Sequence, residues 1–326
     1  MPRVSVVHVV GVKQIFTVMP HKHFMDSPAP HHGSRHGDHS HFGLGAPPRV
    51  QPELEYRDHE LLRGIAAGQL QLAFQPKLNV RSGVIDAAEA LVRWDHPAMG
   101  LVMPDRFIDR SEDTGTIAEL TVWTFQQSAR DQQEFARLGL DLRIYVNLSA
   151  GLLTQETTVA ELCAVAAQPG VKLGLEVTER SVIDDPQLAF ANIARLRAAG
   201  YAIAIDDYGS GLSSLTYLKQ IDADELKIDK SFILSLATSH RDPLIVRSTI
   251  DLAHALGLKV TAEGVETQAA HALLTVMGCD SVQGFLTGRP MPKARFLEHL
   301  AKFTLSSITF AHDITALTNH KIWKRA

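Results

Sequence analysis

A barrel of parallel strands alternating with helices, the (β/α)₈ architecture, is the fold this sequence predicts. Three observations carry the prediction. Strand-like and helix-like segments alternate from about residue 54 to about residue 300, and such alternation implies parallel strands joined by crossover helices. About eight strand candidates fall within roughly 250 residues, the size of such a barrel. Finally, six short apolar runs each carry an acid, an amide or a lysine at an end. They are Glu89-Ala-Leu-Val-Arg-Trp94, Ile144-Tyr-Val-Asn147, Leu173-Gly-Leu-Glu176, Ile203-Ala-Ile-Asp206-Asp207, Glu225-Leu-Lys227 and Val260-Thr-Ala-Glu263. An open, doubly wound sheet would gather its chemistry at one switch point. Polar groups at nearly every strand end favour the closed barrel.

In chain order, residues 1–50 stand apart. His21, His23, His31, His32, His36, His39 and His41 lie among Pro, Gly and Ser with little aliphatic content. Such a stretch buries too little apolar surface to offset its ordering entropy. A weak metal-binding tract is the alternative, but the histidines have no regular spacing and a disordered leader is expected. Globular sequence begins near Leu54. Glu60–Leu70 has the apolar spacing of an amphipathic helix, and the strand Leu72-Ala-Phe-Gln-Pro76 follows. Further helices are expected over 114–138, 186–199, 241–257, 267–277 and 293–302. Pro186 after Asp184 and Asp185 marks a helix start, and Gly200 and Gly257 mark helix ends. The barrel domain is therefore expected over residues 54–302. Residues 303–326, with Trp323 and its basic neighbours, form an extension of unassigned structure.

Composition excludes several function classes. The 326 residues are 45% hydrophobic and 21% charged, ordinary for a globular protein with a substantial core. A formal net charge of −4 argues against a general nucleic-acid binder, so no DNA or RNA duplex is expected as partner. Cys163 and Cys279 are too few for a disulfide framework and lack metal-ligand spacing. The apolar run Val4–Val12 is far shorter than the ~20 residues a membrane span needs, and it lacks a good signal-peptide cleavage site. We expect a cytoplasmic protein without membrane association. Asn147-Leu148-Ser149 matches a glycosylation sequon, which has no use in that compartment.

In (β/α)₈ barrels the chemistry sits at the C-terminal ends of the strands. Glu89, Asn147, Glu176, Asp206 and Asp207 would together offer carboxylate and amide oxygens, with no thiolate or imidazole. Hard oxygen ligands suit Mg²⁺ or Mn²⁺ rather than zinc. The adjacent pair Asp206 and Asp207 would place two carboxylates near one site, as a two-metal centre needs. Each acid taken singly could instead cap a helix or satisfy a loop amide. Their joint occurrence weakens that alternative. Asp206-Asp-Tyr-Gly-Ser-Gly211 reads as a strand running into a tight glycine turn, where glycine permits positive φ and close approach to a ligand. Glu263-Gly-Val-Glu266 places two acids at a strand end, one of them a candidate general base.

These residues carry a resemblance to the EAL-domain family of cyclic di-GMP phosphodiesterases. The signature tripeptide is Glu89-Ala90-Leu91, within Ala88-Glu-Ala-Leu-Val-Arg-Trp-Asp-His-Pro97. Phe74-Gln-Pro76, Pro104 with Phe107-Ile108, Val146-Asn-Leu-Ser149 and Leu175-Glu-Val-Thr-Glu179 also match the family pattern. So do Asp206-Asp-Tyr-Gly-Ser-Gly211, Leu226-Lys-Ile-Asp229, Ala262-Glu-Gly-Val-Glu266 and Val282-Gln-Gly-Phe285. The resemblance implies a TIM-like barrel whose first strand is antiparallel to the rest. It implies hydrolysis of one phosphodiester bond of cyclic di-GMP, giving linear 5′-pGpG, with Mg²⁺ or Mn²⁺, two ions in all.

Residue by residue, the resemblance makes Glu89, Asn147, Glu176 and Asp206 ligands of the first metal. Asp206 would bridge to the second, assisted by Asp207. Lys227 and Glu263 resemble the pair that orients and deprotonates the attacking water. Gln75, Leu91, Arg93, Gln283 and Glu266 match positions that contact the substrate or support the site, Arg93 being suited to a phosphate. Glu179 matches the acid that holds the glycine loop, including Gly209 and Ser210, a loop tied in the family to dimerisation. Tyr208, Ser210 and Phe285 depart from the commoner Phe, Thr and Tyr, each keeping its ring or hydroxyl. No cyclase motif of the Gly-Gly-Asp/Glu-Glu-Phe type is present. The expectation is a homodimeric phosphodiesterase in bacterial signalling. The alternatives are a catalytically silent receptor that binds cyclic di-GMP and acts through a protein partner, and an unrelated barrel enzyme acting on, for example, sugar phosphates.

Overall fold

The structure is a computed structural model that describes residues 59–178, 185–209 and 215–303. The expected His-rich leader, the 303–326 extension beyond its first residue, and the expected roles of Glu179 and Ser210 lie outside these residues. The described chain runs α1 (Glu60–Ala66), β1 (Leu70–Asn79), β2 (Ile85–His96), β3 (Gly100–Val102), α2 (Ile108–Asp113), α3 (Ile117–Arg137) and β4 (Arg143–Asn147). It continues through α4 (Glu156–Ala166), β5 (Leu173–Thr178), α5 (Pro186–Ala199), β6 (Ala202–Tyr208), α6 (Leu215–Gln220), β7 (Glu225–Ile228) and α7 (Lys230–Leu234). Then come α8 (Asp242–Ala255), β8 (Lys259–Ala262), α9 (Gln268–Val276), β9 (Ser281–Gln283), β10 (Met291–Pro292) and a final helix, α10, over 293–303.

Strand pairing closes a barrel in the order β1-β9-β8-β7-β6-β5-β4-β2, with β2 returning to β1. β1 is antiparallel to both neighbours, whereas β2 and β4 through β9 run parallel. The expected barrel and its reversed first strand are both present. The reversal follows from the short connection between β1 and β2, since a parallel pair would need a crossover of a dozen or more residues. The short strands β3 and β10 extend the sheet at β2 and β1.

The helix ends follow local chemistry. Asp185 accepts a hydrogen bond from the Leu188 amide at 3.1 Å and Pro186 occupies the first turn of α5. Both satisfy the geometry of a helix start. Gly200 closes α5 at φ 115° and Gly257 follows α8 at φ 78°. Helix α4 and the short α2, α6 and α7 had no expected counterpart, and the first helix stops at Ala66, short of the expected Leu70, which opens β1 instead. Helix α4 has weak sequence amphipathicity because Ala and Thr sit among its apolar residues, yet it buries Thr158, Val159, Leu162 and Val165.

Two apolar regions result from strand alternation, since successive side chains face opposite sides. Outward residues such as Ile144, Val146, Leu175, Ile203, Ile205, Leu226 and Val260 are fully buried beneath the helices. Phe74 of β1 meets Phe135 of α3 edge-on at 5.3 Å and Phe296 of α10 at 5.5 Å. The lumen holds a much smaller apolar cluster of Ala87, Tyr145 and Ala204. Gly174, on β5, leaves the space that the Tyr145 ring fills.

The regular alternation breaks once where it matters. Between β6 and β7 the register shifts from Ile205 to Tyr208, a bulge spanning Asp206 and Asp207. Asp207 is the one non-glycine residue of positive φ among the described residues, at 55°. Gly209 follows at φ 96°, with the Phe232 ring packed where a β-carbon would stand.

Replacing Gly174 with Ala should force the Tyr145 ring from its place and cost about 1–3 kcal/mol, read from the urea unfolding midpoint. Because a left-handed backbone burdens any residue with a β-carbon, Asp207→Gly should unfold at higher denaturant than Asp207→Ala, by about 1 kcal/mol. Equal midpoints would show that the bulge is relaxed.

Candidate metal centre and active site

Strand periodicity aims one set of side chains into the mouth of the barrel. Glu89 of β2, Glu176 of β5, Asp206 of β6, Lys227 of β7 and Gln283 of β9 are inward-facing and buried, and Glu263 follows β8 directly. Asn147 ends β4 and is exposed at the rim. Neighbouring strands keep these residues level: Glu89 pairs with Gln75 and Asn147 with Glu176.

The Lys227 side chain has no exposed surface and its ammonium sits among four carboxylates. Its Nζ lies 2.6 Å from Glu176 Oε1, 2.8 Å from Glu263 Oε1, 3.5 Å from Asp206 Oδ1 and 3.9 Å from Glu89 Oε2. Unit charges about 4 Å apart interact by about 4 kcal/mol at an effective dielectric constant of 20. One ammonium thus faces four carboxyl groups, a composition suited to further positive charge.

Amides hold the first acid. Asn147 Nδ2 donates to Glu89 Oε1 at 2.7 Å, and Gln283 Nε2 donates to Glu89 Oε2 at 2.5 Å. The same Gln283 nitrogen reaches Gln75 Oε1 at 3.1 Å, and Gln75 Nε2 donates to the Gly288 carbonyl at 3.3 Å. Gln75 and Gln283 are thus brought into one network with Glu89. With its Nδ2 on Glu89, Asn147 keeps its carbonyl Oδ1 as the ligand-competent atom.

The second acidic group is formed by the bulge. Asp206, Asp207 and Glu263 each offer a carboxylate oxygen, all within 4.8 Å of one another. The Asp207 amide donates to Asp206 Oδ1 at 2.9 Å, which sets the angle between the two side chains. On a regular strand these adjacent residues would face opposite sides. A donor set made only of oxygen fits a hard divalent cation such as Mg²⁺ or Mn²⁺. Cys279, free and buried, takes no part; burial pushes its thiol up to about 12.

The remaining expected residues are less central. Arg93 lies two positions beyond Leu91 on β2 and is buried, with its Nη1 donating to the Val92 carbonyl at 2.8 Å. Burial lowers its pKa, while the Glu89 and Asp105 carboxylates oppose that shift. Leu91 is half-buried and Glu266 exposed; neither shares a hydrogen bond with the acidic cluster. Gly209 continues the bulge on the glycine turn.

The lumen below holds charged residues that sequence reading passed over. Lys77 Nζ lies 2.5 Å from Glu225 Oε1 and 3.8 Å above the centre of the Tyr145 ring. Both charged side chains are nearly inaccessible. Burial would raise the Glu225 carboxyl, but the Lys77 ammonium, a Thr261 hydrogen bond and the Lys227 charge together hold the acid below its ordinary range. A period-two reading back from Lys227 to Glu225, and onward from Gln75 to Lys77, is the signal that would have found them.

Comparison with known proteins shows the family to which this fold belongs. Residues 58–290 match the EAL domain family. The chain is 39% identical over 247 residues to MucR of Pseudomonas aeruginosa, named a bifunctional diguanylate cyclase/cyclic di-GMP phosphodiesterase, a match covering 74% of this chain and 36% of that protein. It is 39% identical over 259 residues to the cyclic di-GMP phosphodiesterase NbdA of the same organism, covering 78% of this chain and 33% of NbdA. The aligned part of this chain thus spans about a third of the length of these curated relatives. A solved structure of the PaMucR phosphodiesterase in complex with c-di-GMP superposes with a TM-score of 0.69 at 39% identity, covering 73% of this chain and 98% of that one. An EAL domain protein from Listeria monocytogenes superposes at 0.67 with 26% identity, covering 76% of this chain and 99% of the other. With its barrel, its ordered motifs and well over half its length matching, this chain belongs to the EAL domain family.

Proposed function

We propose that this protein hydrolyses cyclic di-GMP to linear 5′-pGpG with two divalent cations, Mg²⁺ or Mn²⁺. The observation that carries the reading is the complete set of acids around Lys227, with a second carboxylate group formed by Asp206, Asp207 and Glu263. Relatives that are named cyclic di-GMP phosphodiesterases support the choice of substrate. Glu89, Asn147, Glu176 and Asp206 would hold one ion, and Asp206 with Asp207 the other. Bound there, the ions would neutralise the phosphodiester and lower the pKa of water.

The protein's own groups do the rest. Glu263, 2.8 Å from the Lys227 ammonium, is the general base that takes a proton from the attacking water. Lys227 orients that carboxylate and adds fixed positive charge beside the reacting phosphate. Gln283 and Asn147 occupy both oxygens of Glu89 and fix its direction. Arg93 grips a phosphate of the ligand, while Gln75, Leu91 and Glu266 line its approach. For Glu179 and Ser210 the proposed role, carried by the family resemblance, is support of the glycine loop.

A cytoplasmic homodimer in second-messenger signalling, with the glycine loop and segment 212–237 at its interface and room for a further signalling partner, fits this reading. Among the described residues no helix is long and apolar enough to cross a membrane.

Purified protein with Mg²⁺ or Mn²⁺ should convert cyclic di-GMP to a linear product in a timed chromatographic assay. Glu89→Ala should abolish conversion. Glu263→Gln should lower kcat by about 10²–10⁴ with little change in ligand binding. Tight binding without turnover in either metal would identify a silent receptor instead, and an inert cyclic di-GMP in a substrate panel would point to a different barrel enzyme. Stripping divalent ions with a chelator should stop the reaction, and adding Mn²⁺ should restore it. Undiminished turnover after chelation would remove the metal from the mechanism.

A further inference from the structure

Directly beneath the acidic mouth, the lumen holds a second cation that the proposed chemistry does not use. Lys77 on β1 and Glu225 on β7 are not on neighbouring strands, since β9 and β8 lie between them. Their 2.5 Å contact therefore crosses the barrel interior. The Tyr145 ring, from β4 on another side, covers the Lys77 ammonium at 3.8 Å. Gly174 gives that ring its room. Three strands thus converge on one ammonium.

That ammonium is within reach of the site above. Lys77 pairs with Gln283 across β1 and β9. Gln283, from this same level, already reaches Glu89 Oε2 at 2.5 Å. A lysine side chain is one bond longer than a glutamine. Glu225 lies two residues before Lys227 on the same inward face of β7, about 7 Å along the strand. Released from Glu225, a buried lysine in a low-dielectric interior would be drawn to the nearest carboxylates. Those carboxylates are Glu89, Glu176, Asp206 and Glu263, already crowded around a single ammonium.

We infer that Glu225, helped by Tyr145, is a positioning residue that holds Lys77 down in the lumen and so reserves the acids above for divalent cations. The cavity floor is a charge lock. It keeps one lysine out of the centre while a second, Lys227, is admitted. Glu225 touches neither substrate nor metal; it acts through Lys77. The carboxyl is kept ionised for this role by the lysine it holds, against the cost of burial. The inference rests on the metal-binding reading of the site but not on the identity of the substrate.

The test is Mn²⁺ binding by calorimetry on the full chain without any nucleotide. Glu225→Gln should weaken Mn²⁺ binding about 10–100-fold, the range seen when groups behind metal ligands are altered. The double variant Lys77→Met/Glu225→Gln removes the competing ammonium and should bring affinity back to within a few-fold of the parent, about 1 kcal/mol at most. Loss of affinity in the single variant with recovery in the double supports the lock. An unchanged single variant, or a double variant as weak as the single, overturns it. Should Glu225→Gln fail to fold, Tyr145→Leu removes the cover over Lys77 and is expected to weaken Mn²⁺ in the same direction, with an unchanged affinity counting against the lock. A parent protein that binds no Mn²⁺ would instead sink the metal-binding reading on which the inference stands.

Discussion

The Lys227 ammonium, buried among Glu89, Glu176, Asp206 and Glu263, is the interaction on which the site depends. Four carboxylates at such range would repel one another strongly in a protein interior, where screening is weak. One fixed positive charge lets them approach, and it is shared among all four. Without Lys227 the acids would be driven apart; with a lysine for each they would be fully paired. The site lies between these limits, with a carboxylate group that could hold a metal ion.

Closure of the barrel makes that arrangement possible. The acids come from β2, β5, β6 and the end of β8, strands far apart in sequence. Parallel pairing keeps their ends level, and the pleat turns alternate side chains inward. The apolar side chains between them, Ile203 and Leu226 among others, are buried under the helices instead. Apolar burial on the outside therefore stabilises the wall whose inside holds the charge. The reversed β1 brings Gln75 beside Glu89 and Lys77 beside Gln283, which ties the last strand to the first through side chains as well as backbone.

The bulge at Asp206 and Asp207 interrupts that regularity, and it is a local conformational cost placed where charge is concentrated. A left-handed aspartate and the glycine after it let two consecutive carboxylates serve one place. Backbone strain of this kind is characteristic of functional sites and persists only where the surrounding structure holds it. Here Phe232, packed against Gly209, is part of that surrounding structure.

Much of this was legible in the sequence. Glu89, Asn147, Glu176, Asp206, Lys227 and Glu263 stand at the ends of short apolar runs, and a polar group at a strand end betrays its direction without any coordinates; Gln283 came only through the family resemblance. The helix starts and stops at Pro186, Gly200 and Gly257 were readable because capping is a local matter. Helix α4 was not, since its small residues make a helix only when packed against its neighbours. Nor were Lys77, Glu225 and Tyr145: each looks like an ordinary strand residue until barrel closure makes β1, β4 and β7 face one another across the lumen. The sequence by itself determined the alternation, the strand ends and the hard-oxygen chemistry, because those depend on residue type and period. Only the tertiary structure decided which lysine enters the ring of acids and which is held beneath it, because charges from distant strands compete for one another only after the barrel has closed.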